Sequence, residues 1–134
     1  MRIVLDTNVF VSGVFFTGPP FQILRAWRDG KVKLIASPEI LEEYDRVGRA
    51  LARKFPGIDL DPILDLFTVG AELVRAPDLP EPVCEDPEDD KFLACALAGR
   101  SKHVVSGDRH LLKVTGWRGI EVLSPRRFLE HHLA

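Results

Sequence analysis

Arg2-Ile3-Val4-Leu5-Asp6-Thr7-Asn8 sets a short apolar run against an abrupt polar stop. Three successive aliphatic residues with no alternation read as a strand buried on both faces, which ends where Asp6 leaves the interior. Such a strand needs cover on either side, and the flanking sequence offers helices. The chain turns helical after Asp6 until Gly18-Pro19-Pro20 interrupts it. Phe21, Ile23, Leu24 and Trp27 then recur at helical spacing as far as Gly30. Val32 to Ala36 reads as a second strand. One device then appears four times, in Ser37-Pro38, Asp61-Pro62, Asp86-Pro87 and Ser124-Pro125. Each pairs an oxygen able to cap a helix with a proline whose missing N–H costs nothing in the first turn. These pairs predict helices over 38–54, 62–70, 87–98 and 125–132, with short strands over 72–75, 103–106 and 121–123. Strands alternating with helices predict α/β architecture, a three-layer α/β/α sandwich around a central, mostly parallel sheet of about five short strands.

The 134 residues, 46% hydrophobic and 28% charged, suit a single domain spanning 1–134 with its own core, large enough to dispense with disulfides or a structural metal. No apolar run approaches the roughly twenty residues of a membrane span, and the first residues turn acidic at Asp6, so a cytoplasmic protein without membrane association is expected. Cys84 and Cys95 lie outside any zinc spacing and are expected as reduced, partly buried thiols. Pro77 to Pro87 reads as a stiff crossover loop.

Net charge is -2, from 18 Lys and Arg against 20 Asp and Glu. Five of those acids fall in Glu85-Asp86-Pro87-Glu88-Asp89-Asp90, which leaves the rest of the chain at +3. An intensely negative locus on a mildly positive surface is what a cation centre within a polyanion-binding face needs.

In an open parallel sheet, ligands bind at the carboxyl ends of the strands. Asp6 ends the first strand and Asp108 follows the fourth. Asp89 lies in the first turn of the helix begun by Asp86-Pro87, and Glu43 borders the core-facing stripe of Ile40, Leu41, Tyr44 and Val47. Asp86 reads as a cap, and Asp90 as solvent-facing. The acids at 6, 43, 89 and 108 can converge, and together they could not all stay ionised unaided. A hard divalent cation, Mg²⁺ or Mn²⁺, is the natural neutraliser for an all-oxygen set. Metal-assisted phosphodiester hydrolysis is the chemistry such a centre supports. Asn8 and Ser106 are candidates to orient the acids.

Four segments carry a resemblance: Ile3-Val4-Leu5-Asp6-Thr7-Asn8-Val9, Ser37-Pro38-Glu39-Ile40-Leu41-Glu42-Glu43, Asp86-Pro87-Glu88-Asp89-Asp90-Lys91-Phe92-Leu93 and Val105-Ser106-Gly107-Asp108-Arg109-His110-Leu111-Leu112. In order and spacing they resemble the PIN-domain nucleases, particularly the toxin components of bacterial toxin–antitoxin pairs. The resemblance implies that Asp6, Glu43, Asp89 and Asp108 are the acidic quartet that binds Mg²⁺ or Mn²⁺ and cuts RNA, as both catalytic and metal residues. It places Ser106 where many members carry threonine, and His110 where some carry a further acid. It also implies a cognate antitoxin protein and a homodimer.

Phosphate contacts dominate affinity for RNA. Arg46, Arg49 and Arg53 share one helix face, and Arg109, Lys113, Arg118, Arg126 and Arg127 crowd the last quarter; Arg46, Arg49 and Arg109 are the RNA-binding candidates. Phe15, Phe16, Phe21 and Trp27 are divided between core and partner surface, chiefly core. Two other readings remain at this stage. An aspartyl-phosphate phosphatase would need a second Asp where Asn8 stands. A catalytically silent module of the same fold would bind RNA or protein only.

Overall fold

Ile3, Val4 and Leu5 are at most 1% exposed, as a strand covered on both faces must be. In the computed structural model, which describes residues 1–133, β1 (Arg2–Leu5) is the middle strand of a five-stranded sheet ordered β3-β2-β1-β4-β5. Its hydrogen-bonded neighbours are β2 (Lys33–Ala36) and β4 (His103–Val105); β3 (Glu72–Leu73) pairs with β2 at one edge and β5 (Glu121–Leu123) with β4 at the other. Every pairing is parallel, with Ile3 opposite both Leu34 and His103. Parallel neighbours need crossovers. Helices α1 (Thr7–Phe15) and α2 (Pro19–Arg28) lead to β2, α3 (Pro38–Ala52) and α4 (Leu60–Gly70) to β3, α5 (Asp90–Ala98) to β4 and α6 (Arg109–Leu112) to β5, after which comes α7 (Pro125–Phe128).

The chain adds β2 and β3 on one side of β1, then crosses back to add β4 and β5 on the other. Right-handed crossovers put the helices of the two halves on opposite faces. This reversal of strand order makes the carboxyl edge between β1 and β4 the place where sheets of this kind form a ligand crevice. One face is covered by an aromatic cluster drawn from four helices. Phe10 stacks on Tyr44 at 4.2 Å, Phe67 meets Phe10 edge-on at 4.9 Å, and Trp27 lies 5.4 Å from Phe67. Burial of each such ring contributes about 1.5–3 kcal/mol. Helix α5, with Phe92, Leu93, Cys95 and Ala96 buried, packs on β1, β2 and β4.

The caps work as the sequence predicts at three of four places. Ser37 Oγ accepts from Ile40 N, Asp86 Oδ1 from Glu88 N and Ser124 Oγ from Arg127 N. The fourth differs: Asp59, not Asp61, caps α4, its carboxylate accepting from Asp61 N at 3.3 Å. Pro62 still falls in the first turn, where its ring clashes with nothing. Residues 87–98 begin as a 3₁₀ turn (Pro87–Asp89) before α5, and 125–132 divides into α7 and a π-helical turn, Leu129–Leu133. The strand predicted over 72–75 shortens to two residues at the sheet edge, although Val74 N still donates to Ala36 O at 2.9 Å.

Cys84 and Cys95 are 5% and 0% exposed, more deeply buried than expected, and burial pushes both thiols up to about 12. Phe16 and Phe21 sit at the surface at 46% and 37% exposure, whereas Phe15 and Trp27 pack against the core. No helix among the described residues is long and apolar enough to cross a membrane.

Candidate functional site

Asp6 is placed by backbone hydrogen bonds on both sides. Its N–H donates to Val105 O at 2.9 Å, continuing the β1–β4 ladder by one bond, and its carbonyl accepts from Val9 and Phe10 to start α1. Beneath it the buried Tyr44 hydroxyl donates to Leu5 O and holds the strand end. The Asp6 side chain does not cap α1. Instead Oδ2 accepts from Ser106 Oγ at 2.7 Å, and the same Ser106 oxygen accepts from Asp108 N at 2.9 Å. One fully buried hydroxyl thus links the loops that leave β1 and β4. Asp108 caps α6 through Oδ1, which accepts from His110 N at 2.8 Å, so its capping and rim positions coexist.

Asp89 stands at the junction of the 3₁₀ turn and α5, 9% exposed, and its Oδ2 is buried without a hydrogen-bond partner. Leaving such a group unsatisfied costs about 1–3 kcal/mol, more when it is charged. Burial, then the charges of Asp108, Asp6 and Asp86, push the Asp89 carboxyl up to about 6 against the pull of Lys91. Asp6 is likewise held above the usual carboxylate range. Burial is the main cause, the Ser106 hydrogen bond opposes it, and Asp108 and Glu43 add repulsion. The four acids therefore share one electrostatic field at the mouth of the β1/β4 crevice.

Glu43 enters that field already partnered. Thr7 Oγ1 donates to Glu43 Oε1, Lys91 Nζ pairs with Oε2, and Arg46 Nη2 approaches within 3.8 Å. Burial works against the Lys91 charge, but its hydrogen bond and attraction to Glu43, aided by Glu88, outweigh it and hold the ammonium above its usual pKa. The sequence alone assigns no role to Thr7 or Lys91. Thr7 lies inside the polar stop Asp6-Thr7-Asn8, which was the available signal. Asn8 itself is exposed on the first turn of α1.

Other expectations shift. Asp90 does not face solvent: its two carboxylate oxygens accept from Val83 N at 3.1 Å and Cys84 N at 2.8 Å, stapling the proline-rich loop to α5. Arg49 bridges α3 to α4 through Asp45 and Asp61, both at 2.8 Å, and so is engaged away from the crevice. Arg109 is exposed beside Asp108. His110 Nδ1 lies 2.7 Å from Glu85 Oε2, tying α6 to the same loop.

The donors facing the crevice are carboxylate oxygens, one of them buried and unpartnered and two held on acids that resist ionisation. A hard divalent cation would answer each of these features. Among the described residues, the trio of His, Cys, Asp or Glu whose ligand atoms close to within 4.8 Å lies elsewhere, at His103, Glu121 and His132. The acidic cup is therefore the wider one, which suits an ion that retains several waters and takes substrate oxygens.

A family model described as PIN domain matches residues 2–110. No curated protein gives a significant match.

Proposed function

The chain belongs to the PIN-domain family, whose members are generally nucleases that typically use divalent metal ions, and from that premise we propose that it is a Mg²⁺- or Mn²⁺-dependent endoribonuclease acting as the toxin of a toxin–antitoxin pair. The observation that carries the reading is Asp89 Oδ2, a carboxylate oxygen sealed from water and left without a partner among three other acids. Natural cores satisfy such atoms, and an ion is the partner that would do so here.

In this reading Asp6, Asp89 and Asp108 would hold the ion, and Glu43 would complete the acidic rim. When bound, the ion polarises the phosphate and lowers the pKa of an attacking water. Ser106 keeps Asp6 and the Asp108 backbone in fixed relation, so the acids meet the ion without reorganising. Burial and the neighbouring acids make the ionised Asp89 carboxylate costly where no ion balances it, and a bound cation would relieve that cost. Lys91 Nζ, drawn to the rim by Glu43, offers a cation to a phosphate oxygen of the RNA, with Arg46 and Arg109 at the margin. Water attacks phosphorus and releases a proton to solvent, the bond to one bridging oxygen breaks, and that oxygen takes up a proton from solvent as it leaves. Cognate antitoxin, homodimer and cytoplasmic location belong to the same proposal; the exposed Phe16 and Phe21 offer apolar surface for such contacts.

The test is cleavage of a single-stranded RNA by the purified protein with Mg²⁺, with Mn²⁺ and with chelator, alongside Asp6→Asn and Asp108→Asn. Metal-dependent cleavage that falls by about 100-fold or more in each variant is expected, since the lost charge stabilisation is worth several kcal/mol. Cleavage indifferent to chelator, or undiminished in both variants, contradicts it. For the toxin role, induced wild-type protein should arrest growth, and Asp6→Asn should not.

A further inference from the structure

At the amino edge of the sheet, away from the acidic crevice, β4 and β5 open with His103 and Glu121, which the parallel register sets directly opposite each other. The turn Leu129–Leu133 is π-helical, a widened turn found disproportionately at functional sites, and it brings His132 to the same place. His132 Nε2 stands 3.1 Å from Glu121 Oε1, and His103 Nε2 stands 3.5 Å from the same oxygen. Ligand atoms of all three residues lie within 4.8 Å of one another. Around a tetrahedral ion with bonds of about 2.0–2.1 Å, neighbouring ligands stand about 3.3 Å apart. Two of the three edges already have that length.

The surroundings also suit a metal. The two imidazole rings meet edge to face at 4.6 Å, and Phe128 lies 5.2 Å from His132, giving the cluster an apolar wall. The His103 and His132 side chains are 19% and 22% exposed, while Glu121 is 47% exposed. A fourth position would therefore face water.

We propose that His103, Glu121 and His132 form a zinc site, separate from the acidic centre, that fastens the C-terminal turn to the sheet. Imidazole nitrogens select Zn²⁺ over Mg²⁺, as the all-oxygen crevice does not. Binding exchanges the His132–Glu121 hydrogen bond and the His103–Glu121 contact for three metal bonds. Each ring presents its Nε2 lone pair, carries its remaining proton on Nδ1, and releases any second proton to solvent. The turn so fastened packs on α2 and α7, so the ion would tie strand edge, turn and both helices together.

The test is calorimetric titration of the chelator-stripped full chain with Zn²⁺, in buffer whose excess Mg²⁺ occupies the acidic centre, repeated on His132→Gln, His103→Gln, His131→Gln and Asp6→Asn. One Zn²⁺ per chain is expected. Kd should rise at least tenfold in His132→Gln and His103→Gln and stay unchanged in His131→Gln, whose imidazole is exposed on the same turn, and in Asp6→Asn. Zn²⁺ should also raise the wild-type Tm, and His132→Gln should abolish that rise. His132 sits in the last turn described, so its variant reports on the site even where His103→Gln fails to fold. Equal Zn²⁺ affinity in wild type and His132→Gln overturns the proposal, as does absence of binding at about 1 mM Zn²⁺. Loss of Zn²⁺ binding in Asp6→Asn with retention in His132→Gln assigns the ion to the acidic centre and overturns it too.

Discussion

Asp89→Asn should make the metal-free protein more stable and the metal-bound protein less so. The native Asp89 carboxyl titrates at about 6 against an ordinary 3.8, chiefly through burial. Each unit is about 1.4 kcal/mol, so the ionised form carries a cost of about 3 kcal/mol in the folded state. The pKa is raised on folding, so the folded state binds the proton more tightly than the unfolded one. The cost is therefore absent below pH about 4, where both states are protonated, grows between about 4 and 6, and is complete above that. Asparagine keeps the shape and never ionises. Its amide must still find partners, which reduces the gain to about 1–3 kcal/mol at pH 7.5, or about 4–10 °C in Tm for a chain of 134 residues. With Mn²⁺ at a hundredfold excess over Kd, the wild type gains about 2.7 kcal/mol from binding, the variant gains little, and the order reverses. Thermal melts at pH 4 and 7.5, each with chelator and with Mn²⁺, read all four states. A variant that is less stable than wild type in chelator at pH 7.5, or equally stabilised by Mn²⁺, refutes the reasoning.

Lys91→Met removes the cation beside Glu43; Mn²⁺ should bind more tightly by calorimetry while RNA cleavage falls, a divergence that a purely structural lysine would not produce. Ser106→Ala deletes a fully buried hydroxyl that joins two loops and should cost about 1–3 kcal/mol of stability in urea unfolding, with weakened Mn²⁺ binding. Mn²⁺ affinity of the wild type should fall as pH drops through about 6, where Asp89 takes up its proton, and this step should be missing in Asp89→Asn. Arg49→Ala should leave cleavage unchanged, because Arg49 is committed to Asp45 and Asp61.

Much of the fold is legible because local signals and burial agree. Ile3 to Leu5 lack alternation because both faces are covered, and serine or aspartate before proline marks helix starts wherever no rival cap stands nearby. At Asp61-Pro62 a rival does stand nearby: Asp59 caps equally well, and the helix begins sooner. The π turn escapes the sequence because Phe128, Leu129 and Leu133 suit an ordinary helix as well as a widened one. Asp90 misleads because helical phase is counted from Pro87, whereas the 3₁₀ turn shifts it and leaves the carboxylate facing Val83 and Cys84. The acids at the strand ends can be located from the sheet rule. Lys91 cannot, since a lysine three residues after Glu88 reads as a surface pair, and its partner Glu43 is reached only through tertiary packing of α3 beside α5.

The most direct measurement is a crystal of the wild-type chain soaked in Mn²⁺, with data collected for the anomalous signal of manganese. The account predicts a peak in the β1/β4 crevice with Asp89 Oδ2, Asp6 and Asp108 among its ligands. A crevice without a peak while Mn²⁺ supports cleavage, or a peak only at His103, Glu121 and His132, would contradict it.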